Sequence, residues 1–240
     1  MANPRHYRPF LMSLALGAMV VGAFPLAAQA SSKGATPTTV LAAAKASLAK
    51  QTGVHIEVHS KAGKLSSSVV VDIGQTQGQE HITSGLETIN IVLTSATAFL
   101  SGSATGLTAI MGLTAAQQKI VGTKSISMKP GTTPYTNFHS NLTTPALISM
   151  LPVAKGTSLS SKVINGVKYQ LLSWTTKATT TTQQTKSVLT LTSTSPILPV
   201  SEKITSPTGG GTTAFSKWGE KFSVSVPPAS STVSYTKIFG

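Results

Sequence analysis

Residues 54–93 read VHIEVHSKAGKLSSSVVVDIGQTQGQEHITSGLETINIVL, and the period of this stretch decides the fold. Val54, Ile56 and Val58 alternate with His55, Glu57 and His59, and the same alternation returns at Val69, Val71, Ile73 and at Ile89, Ile91, Leu93. Side chains two apart on a strand share a face, so each run has one apolar face and one wet one. Gly74–Gly78 and Ser84–Gly85 supply turn chemistry between the runs. An antiparallel meander of about four strands is expected over Val54–Leu93, with a fifth strand over Thr97–Leu100.

Upstream of the meander, Val40, Leu41, Ala44 and Leu48 form an apolar stripe at helical spacing. A helix is expected over Val40–Gln51, capped by Thr38 or Thr39 and stopped at Gly53. Downstream, in residues 101–152, regular alternation ceases and short apolar clusters sit between glycines and prolines, which predicts short helices or a covering insertion. Strand patterning resumes after Pro152. Val163–Ile164 and Val167–Tyr169 flank Asn165-Gly166, a two-residue hairpin signal because a type I′ turn needs positive φ at both positions. Val188–Thr192 and Val200–Thr205 read as further strands, with the Thr- and Gln-rich run Lys177–Gln184 as a connecting loop. Gly209–Gly211 reads as a loose turn before two last strands, Thr213–Trp218 and Phe222–Val226. A sheet this long must curl to hide one face. The fold class expected is therefore α+β, a curved antiparallel β half-barrel closed by an N-terminal helix and inserted short helices.

Ahead of this domain, Arg5 and Arg8 lead into an apolar run from Phe10 to Phe24, followed by Pro25 and the triplet Ala28-Gln29-Ala30. That is the layout of a secretory signal peptide cut after Ala30, its apolar run being about 15 residues and short for a membrane span. The organisation expected is residues 1–30 as signal, 31–37 as a flexible leader and 38–240 as one domain. A retained N-terminal anchor is the alternative. With no cysteine anywhere, there is no lipidation site at the cut, and the exported product is expected to be free.

Of the nineteen basic residues the two arginines lie in the signal, which leaves seventeen lysines against six carboxylates and a formal charge of +11, two below the whole chain's +13. Scattered lysines without arginine are a poor match for nucleic acid, which is usually gripped by clustered, bidentate guanidinium groups. They suit weak attraction to an anionic membrane or cell-wall surface. So few carboxylates also leave little for acid to protonate, which fits an acidic exterior, and equally a compositional habit favouring Thr and Ser.

The opening helix with Leu41, Ala44 and Leu48 followed by the strand Val54–Ser60, the run Glu87–Leu100 followed by Gly112, Leu113 and Thr114, and the ending Phe215-Ser216-Lys217-Trp218-Gly219 with Val224, Val226, Pro227 and Pro228 together resemble the LolA-like lipoprotein-carrier superfamily of the LppX–LprG type. The resemblance implies a half-barrel closed by helices around a lipid-binding cavity. Two features depart from that pattern: the lipobox cysteine is missing, which leans toward a mobile carrier or an unrelated use of the fold, and arginine is missing after the signal, which removes any arginine-based contact with a partner or lipid headgroup.

Leu107, Ile110, Met111, Leu113, Leu147, Ile148, Met150 and Leu151 are the cavity candidates, more apolar surface than a flat sheet needs, with methionine soft enough to accept varied chains. Each is equally readable as core packing. His55, Glu57 and His59 share one face of a strand, with His81 nearby, and could hold a metal. That face is the wet one, where an ordinary polar surface is expected. No cysteine nucleophile, Gly-x-Ser-x-Gly, phosphate-binding glycine motif or His-Glu-x-x-His occurs, so no enzyme is expected and no cofactor. The leading reading is a secreted, monomeric envelope protein that binds a lipid or other apolar molecule and carries it through the envelope. The alternatives are a Ser/Thr-rich envelope or adhesion protein binding anionic polymers, and a metal-binding module.

Overall fold

The structure, a computed structural model, describes residues 34–177 and 183–240. The signal segment, the cut after Ala30, the first leader residues and most of the Thr-rich run therefore lie outside the described residues. Among the described residues twelve strands form one open, curved sheet in the order β12-β6-β5-β4-β3-β2-β1-β11-β10-β9-β8-β7, with helices packed on its inner face. The fold is α+β, and the sheet does not close into a barrel.

The first helix, α1, spans Pro37–Leu48, three residues earlier than the stripe alone suggests. Thr36, not Thr38 or Thr39, is the N-cap, and Thr39 returns the bond as the third residue of a capping box with Pro37 at the first turn. The local chemistry of a threonine-rich start is degenerate; only the geometry selects which one caps. Val40, Leu41, Ala44 and Leu48 are buried as a stripe.

Strands β1 (Gly53–Ala62), β2 (Leu65–Gly74), β3 (Gly78–Ser84), β4 (Glu87–Leu93) and β5 (Ala98–Gly102) form the expected meander. Its register sets Ile56 beside Val71, Val71 beside Glu80 and Glu80 beside Ile91, all on the inner face. Gly53 opens β1 rather than merely stopping the helix.

The insertion holds α2 (Ala104–Met111), α3 (Ala115–Val121), α4 (Thr133–Asn141) and α5 (Thr144–Ser149), each starting behind a Ser or Thr, and also a strand that the pattern did not announce, β6 (Ser125–Met128). With only Ile126 and Met128 turned inward, β6 is too short to display a period, and its pairing with β5 makes it a strand.

Beyond the insertion, β7 (Ser158–Ile164) and β8 (Val167–Thr176) meet at Asn165-Gly166, with φ of 50° and 78°, the expected type I′ chemistry. β9 (Thr185–Thr192), β10 (Pro199–Ser206) and β11 (Gly209–Ser216) then walk back until β11 pairs with β1. Two expectations fail at this end. Gly209–Gly211 is not a loose turn but the start of β11, enlisted by pairing with both β1 and β10. Phe222–Val226 is not a strand: residues 217–228 cross one end of the sheet as a strap.

The strap is held where Gly219 N–H donates to Gly53 O at 2.9 Å, the Thr52 hydroxyl donates to Gly219 O at 2.6 Å, and the Gln77 side-chain amide donates to Phe222 O. It delivers the chain to the far edge, where β12 (Thr232–Ser234) pairs parallel with β6 and the short α6 (Tyr235–Phe239) follows.

Candidate functional site

β1 divides the sheet. On its β2–β6 side the inner face is saturated with aliphatic side chains: Val71, Ile73, Ile89, Ile91, Leu93, Ala98, Leu100, Ile126 and Met128 are all buried. Helix α2 packs on β4 and β5, α4 on β5, and α6 on β6 and β12. On the β7–β11 side only Leu172, Leu189, Leu191, Pro199 and Ser187 are buried among the strand residues. The register puts Thr213, Glu202, Leu189, Leu172 and Leu159 in one inward row, with Phe215, Ile204 and Trp174 in the rows beside it, all but the two leucines Leu189 and Leu172 only part-covered.

Over this second half lie the C-terminal end of α1 and the short α5, which pack on each other. Between them and the sheet runs a cleft lined by Leu48, Leu147, Met150, Leu151, Leu189, Pro199, Phe215, Trp218 and Glu202. Its open volume is about 10 Å³, room for a single water. The Trp218 indole stacks near Phe215, ring centroids 6.1 Å apart, and donates to Pro199 O at 2.9 Å, which pins the floor of the cleft to β10.

The lid α5 is weakly built. Six residues make fewer than two turns, its N-cap Thr143 gives no side-chain capping bond, and its end is held by long bonds from Met150 N–H to Leu147 O at 3.3 Å and Leu151 N–H to Ile148 O at 3.4 Å. Its start is tied down, because Thr143 bridges to Gly74 and its hydroxyl donates to His139 O at 2.8 Å. The bond at the start of α5 is thus shorter than those at its Met150 end.

The eight cavity candidates separate into two groups. Leu147, Met150 and Leu151 line the cleft, with Ile148 packed beside them against the core. Leu107 is buried under α2 above β4 and β5, Leu113 is buried in the turn after it, and Ile110 and Met111 pack part-buried against the core of the first half. That second group lies outside the cleft. Pattern reading also passed over two inward carboxyls. Glu80 is buried among aliphatic strands, and burial raises it to about 7; Glu202 is raised to about 7 by burial, against a hydrogen bond from Ser187 that works the other way. Both were visible by phase, since Glu80 shares a face with Ile82 and Glu202 with Ile204.

On the outer face, His55 Nδ1 lies 2.6 Å from Asp72 Oδ1 and Nε2 lies 3.2 Å from Glu57 Oε1, while Asp72 Oδ2 accepts from the Gln79 amide at 2.7 Å. Burial alone would lower the His55 pKa, but the two carboxylates outweigh it and the net shift is upward. With both ring nitrogens donating, no lone pair is left for a metal. His81 is engaged with Asn90 at 2.6 Å and Thr83 at 3.2 Å, and His59 does not join. Among the described residues no three His, Asp or Glu side chains sit together as a metal-holding group.

No family model and no curated protein matches the chain. Among solved structures, the lipoprotein LppX of Mycobacterium tuberculosis is 14% identical, with 78% of this chain and 99% of that chain covered at a TM-score of 0.47. This chain is similar in fold to LppX. LprF from Mycobacterium bovis is similar to the same degree, at 13% identity, 80% and 96% coverage and a TM-score of 0.46. Among the described residues no helix is long and apolar enough to cross a membrane.

Proposed function

We propose that this protein is a non-catalytic binder of a lipid or other apolar molecule, held between the inner face of β8–β11 and the lid formed by α1 and α5, and that after cleavage behind Ala30 it carries that molecule through the envelope. The observation that carries the reading is the asymmetry of coverage: the middle of one half of the inner face is sealed, while the other leaves Phe215 only part-covered beside the six-residue α5, and Ile204 and Trp174 part-covered two rows further along the sheet. A folded domain gains about 25 cal/mol for each Å² of apolar surface it removes from water, so incomplete cover over aromatic side chains is surface that a ligand can still bury. Because the cleft holds only a water-sized space, loading requires the Met150 end of α5 to lift.

Titration with a fluorescent naphthylamine probe tests this directly. Saturable binding is expected, weakened at least ~10-fold by Met150→Lys, whose ammonium would have to be desolvated in the cleft. Native mass spectrometry of protein recovered from its own envelope is expected to show an added mass that organic extraction removes. A protein that binds no probe and carries no extractable mass is not such a carrier.

A further inference from the structure

At the free edge of the second half, the β7–β8 hairpin runs past its neighbours. β9 accompanies β8 only as far as the Tyr169–Thr192 pair, so residues 163–167 project with no third strand beside them. The base of the projection is fixed by the Ser193 hydroxyl, which donates to Lys168 O at 2.7 Å. The tip is fixed by the Asn165-Gly166 turn. What this rigid finger presents is apolar: Val163 is 63% exposed, Ile164 40% and Val167 53%. Alternation puts Val163 on one face and Ile164 and Val167 on the other, so neither face of the tip is polar. A type I′ turn asks only for Asn-Gly at its centre and places no demand for three β-branched residues in water around it.

Charge completes the picture. Lys162 and Lys168 flank the tip, both exposed. No Asp or Glu occurs anywhere from residue 88 to residue 201, and among the described residues no lysine has a carboxylate within 4.0 Å. An apolar tip collared by unpaired ammonium groups is complementary to a surface that is anionic outside and hydrocarbon beneath.

We propose that the β7–β8 hairpin docks this protein on an anionic lipid bilayer, with Val163, Ile164 and Val167 entering the acyl boundary and Lys162 and Lys168 resting among the headgroups. The finger lies at the end of the sheet where Pro199 and Trp218 floor the cleft, so docking would bring that end toward the membrane. The docking itself does not depend on whether the cleft takes a ligand.

The experiment is sedimentation of protein recovered after export with vesicles of phosphatidylcholine, alone or mixed equally with phosphatidylglycerol. Binding to the mixed vesicles is expected, weakening as salt rises, with little binding to phosphatidylcholine alone. The double variant Ile164→Ser/Val167→Ser should bind at least ~10-fold more weakly, and Lys162→Gln or Lys168→Gln about 5-fold more weakly each, in line with the usual contribution of a lysine at an anionic surface. Ile164→Trp should shift indole fluorescence further to the blue on mixing with anionic vesicles than the unaltered protein, whose Trp174 and Trp218 set the background, while its fluorescence without vesicles shows that the fold is kept. Equal binding to both vesicle types, or unchanged binding by the double variant, overturns the proposal. So does a concentration-dependent dimer that the double variant abolishes while vesicles have no effect, since that would make the finger a contact between copies of the chain.

Discussion

The two halves of the sheet on either side of β1 are built from the same kind of strand and end in opposite conditions. The β2–β6 half turns aliphatic side chains inward through its middle, with Glu80 buried among them and Ser67, Ser84 and Glu87 part-covered at one end, and three helices pack on them. The β7–β11 half turns Thr213, Glu202, Ser187, Gln170 and Trp174 inward among its leucines, with only the six-residue α5 and the end of α1 above it, and the buried Oε1 of Gln170 has no hydrogen-bond partner. A sealed, uniform face is what stability requires. A mixed and half-covered face is less than stability could have, and the proposed binding site lies on that half.

The largest test of this comparison is to hollow each half. Leu100→Ala, at a fully buried position in β5, should cost on the order of 3–4 kcal/mol in urea unfolding, because the cavity cannot collapse between strands and helices. Ile204→Ala on β10, part-exposed already, should cost about 1 kcal/mol. Similar losses at the two sites would break the distinction between a sealed half and an open one.

A second test uses pH. Glu80 holds its proton up to about pH 7 when folded and releases it near 4.5 when unfolded, so between those values the folded state binds more protons and stability falls as pH rises. The fall attributable to Glu80 is about 3 kcal/mol. Glu202 acts with the same sign. So does His55, whose raised pKa stabilises the protein in acid and is lost as pH rises through it. Stability measured by denaturant unfolding should therefore be higher at pH 4.5 than at pH 7.5, and Glu80→Gln should flatten the slope by about one proton. Greater stability at pH 7.5 than at pH 4.5 in the unaltered protein would contradict the inward placement of these carboxyls.

A third concerns the strap, which ties the two halves together beneath β1. A Cβ on Gly53 would run into the backbone oxygens of Glu220 and Ile73 and the Phe222 ring. Gly53→Ala should cost about 2 kcal/mol and loosen the strap, seen as faster amide exchange at Gly219. The smallest effect is expected at the entry to α1, where Thr36→Ala removes a capping box for about 1 kcal/mol and should leave probe binding in the cleft unchanged.

Much of this architecture is readable without coordinates because it is local. The inward phase of Ile56, Val71 and Ile91 and the turn at Asn165-Gly166 follow from spacing and turn chemistry in short windows. The cleft is only half readable. Leu147, Met150 and Leu151 announce themselves as apolar, yet so do Leu107 and Leu113, and nothing in a run of leucines says which ones face a sealed sheet and which an open one. Glu202 was in phase with Ile204 all along. A lone carboxyl in a part-apolar strand reads as surface until the helix above it is known.

The sequence by itself determined the meander β1–β5 with its inner face, the apolar stripe of the first helix and the hairpin turn at Asn165-Gly166, since each rests on contacts between residues close along the chain. Only the tertiary structure decided that Gly209–Gly211 belongs to a strand, that Phe222–Val226 is a strap, that β12 runs parallel to β6 and that α5 lies over β9–β11 as a thin lid. Those outcomes depend on which distant segment supplies the hydrogen bonds and the apolar cover, and a strand edge or an apolar stripe accepts many partners equally until the whole chain has chosen among them.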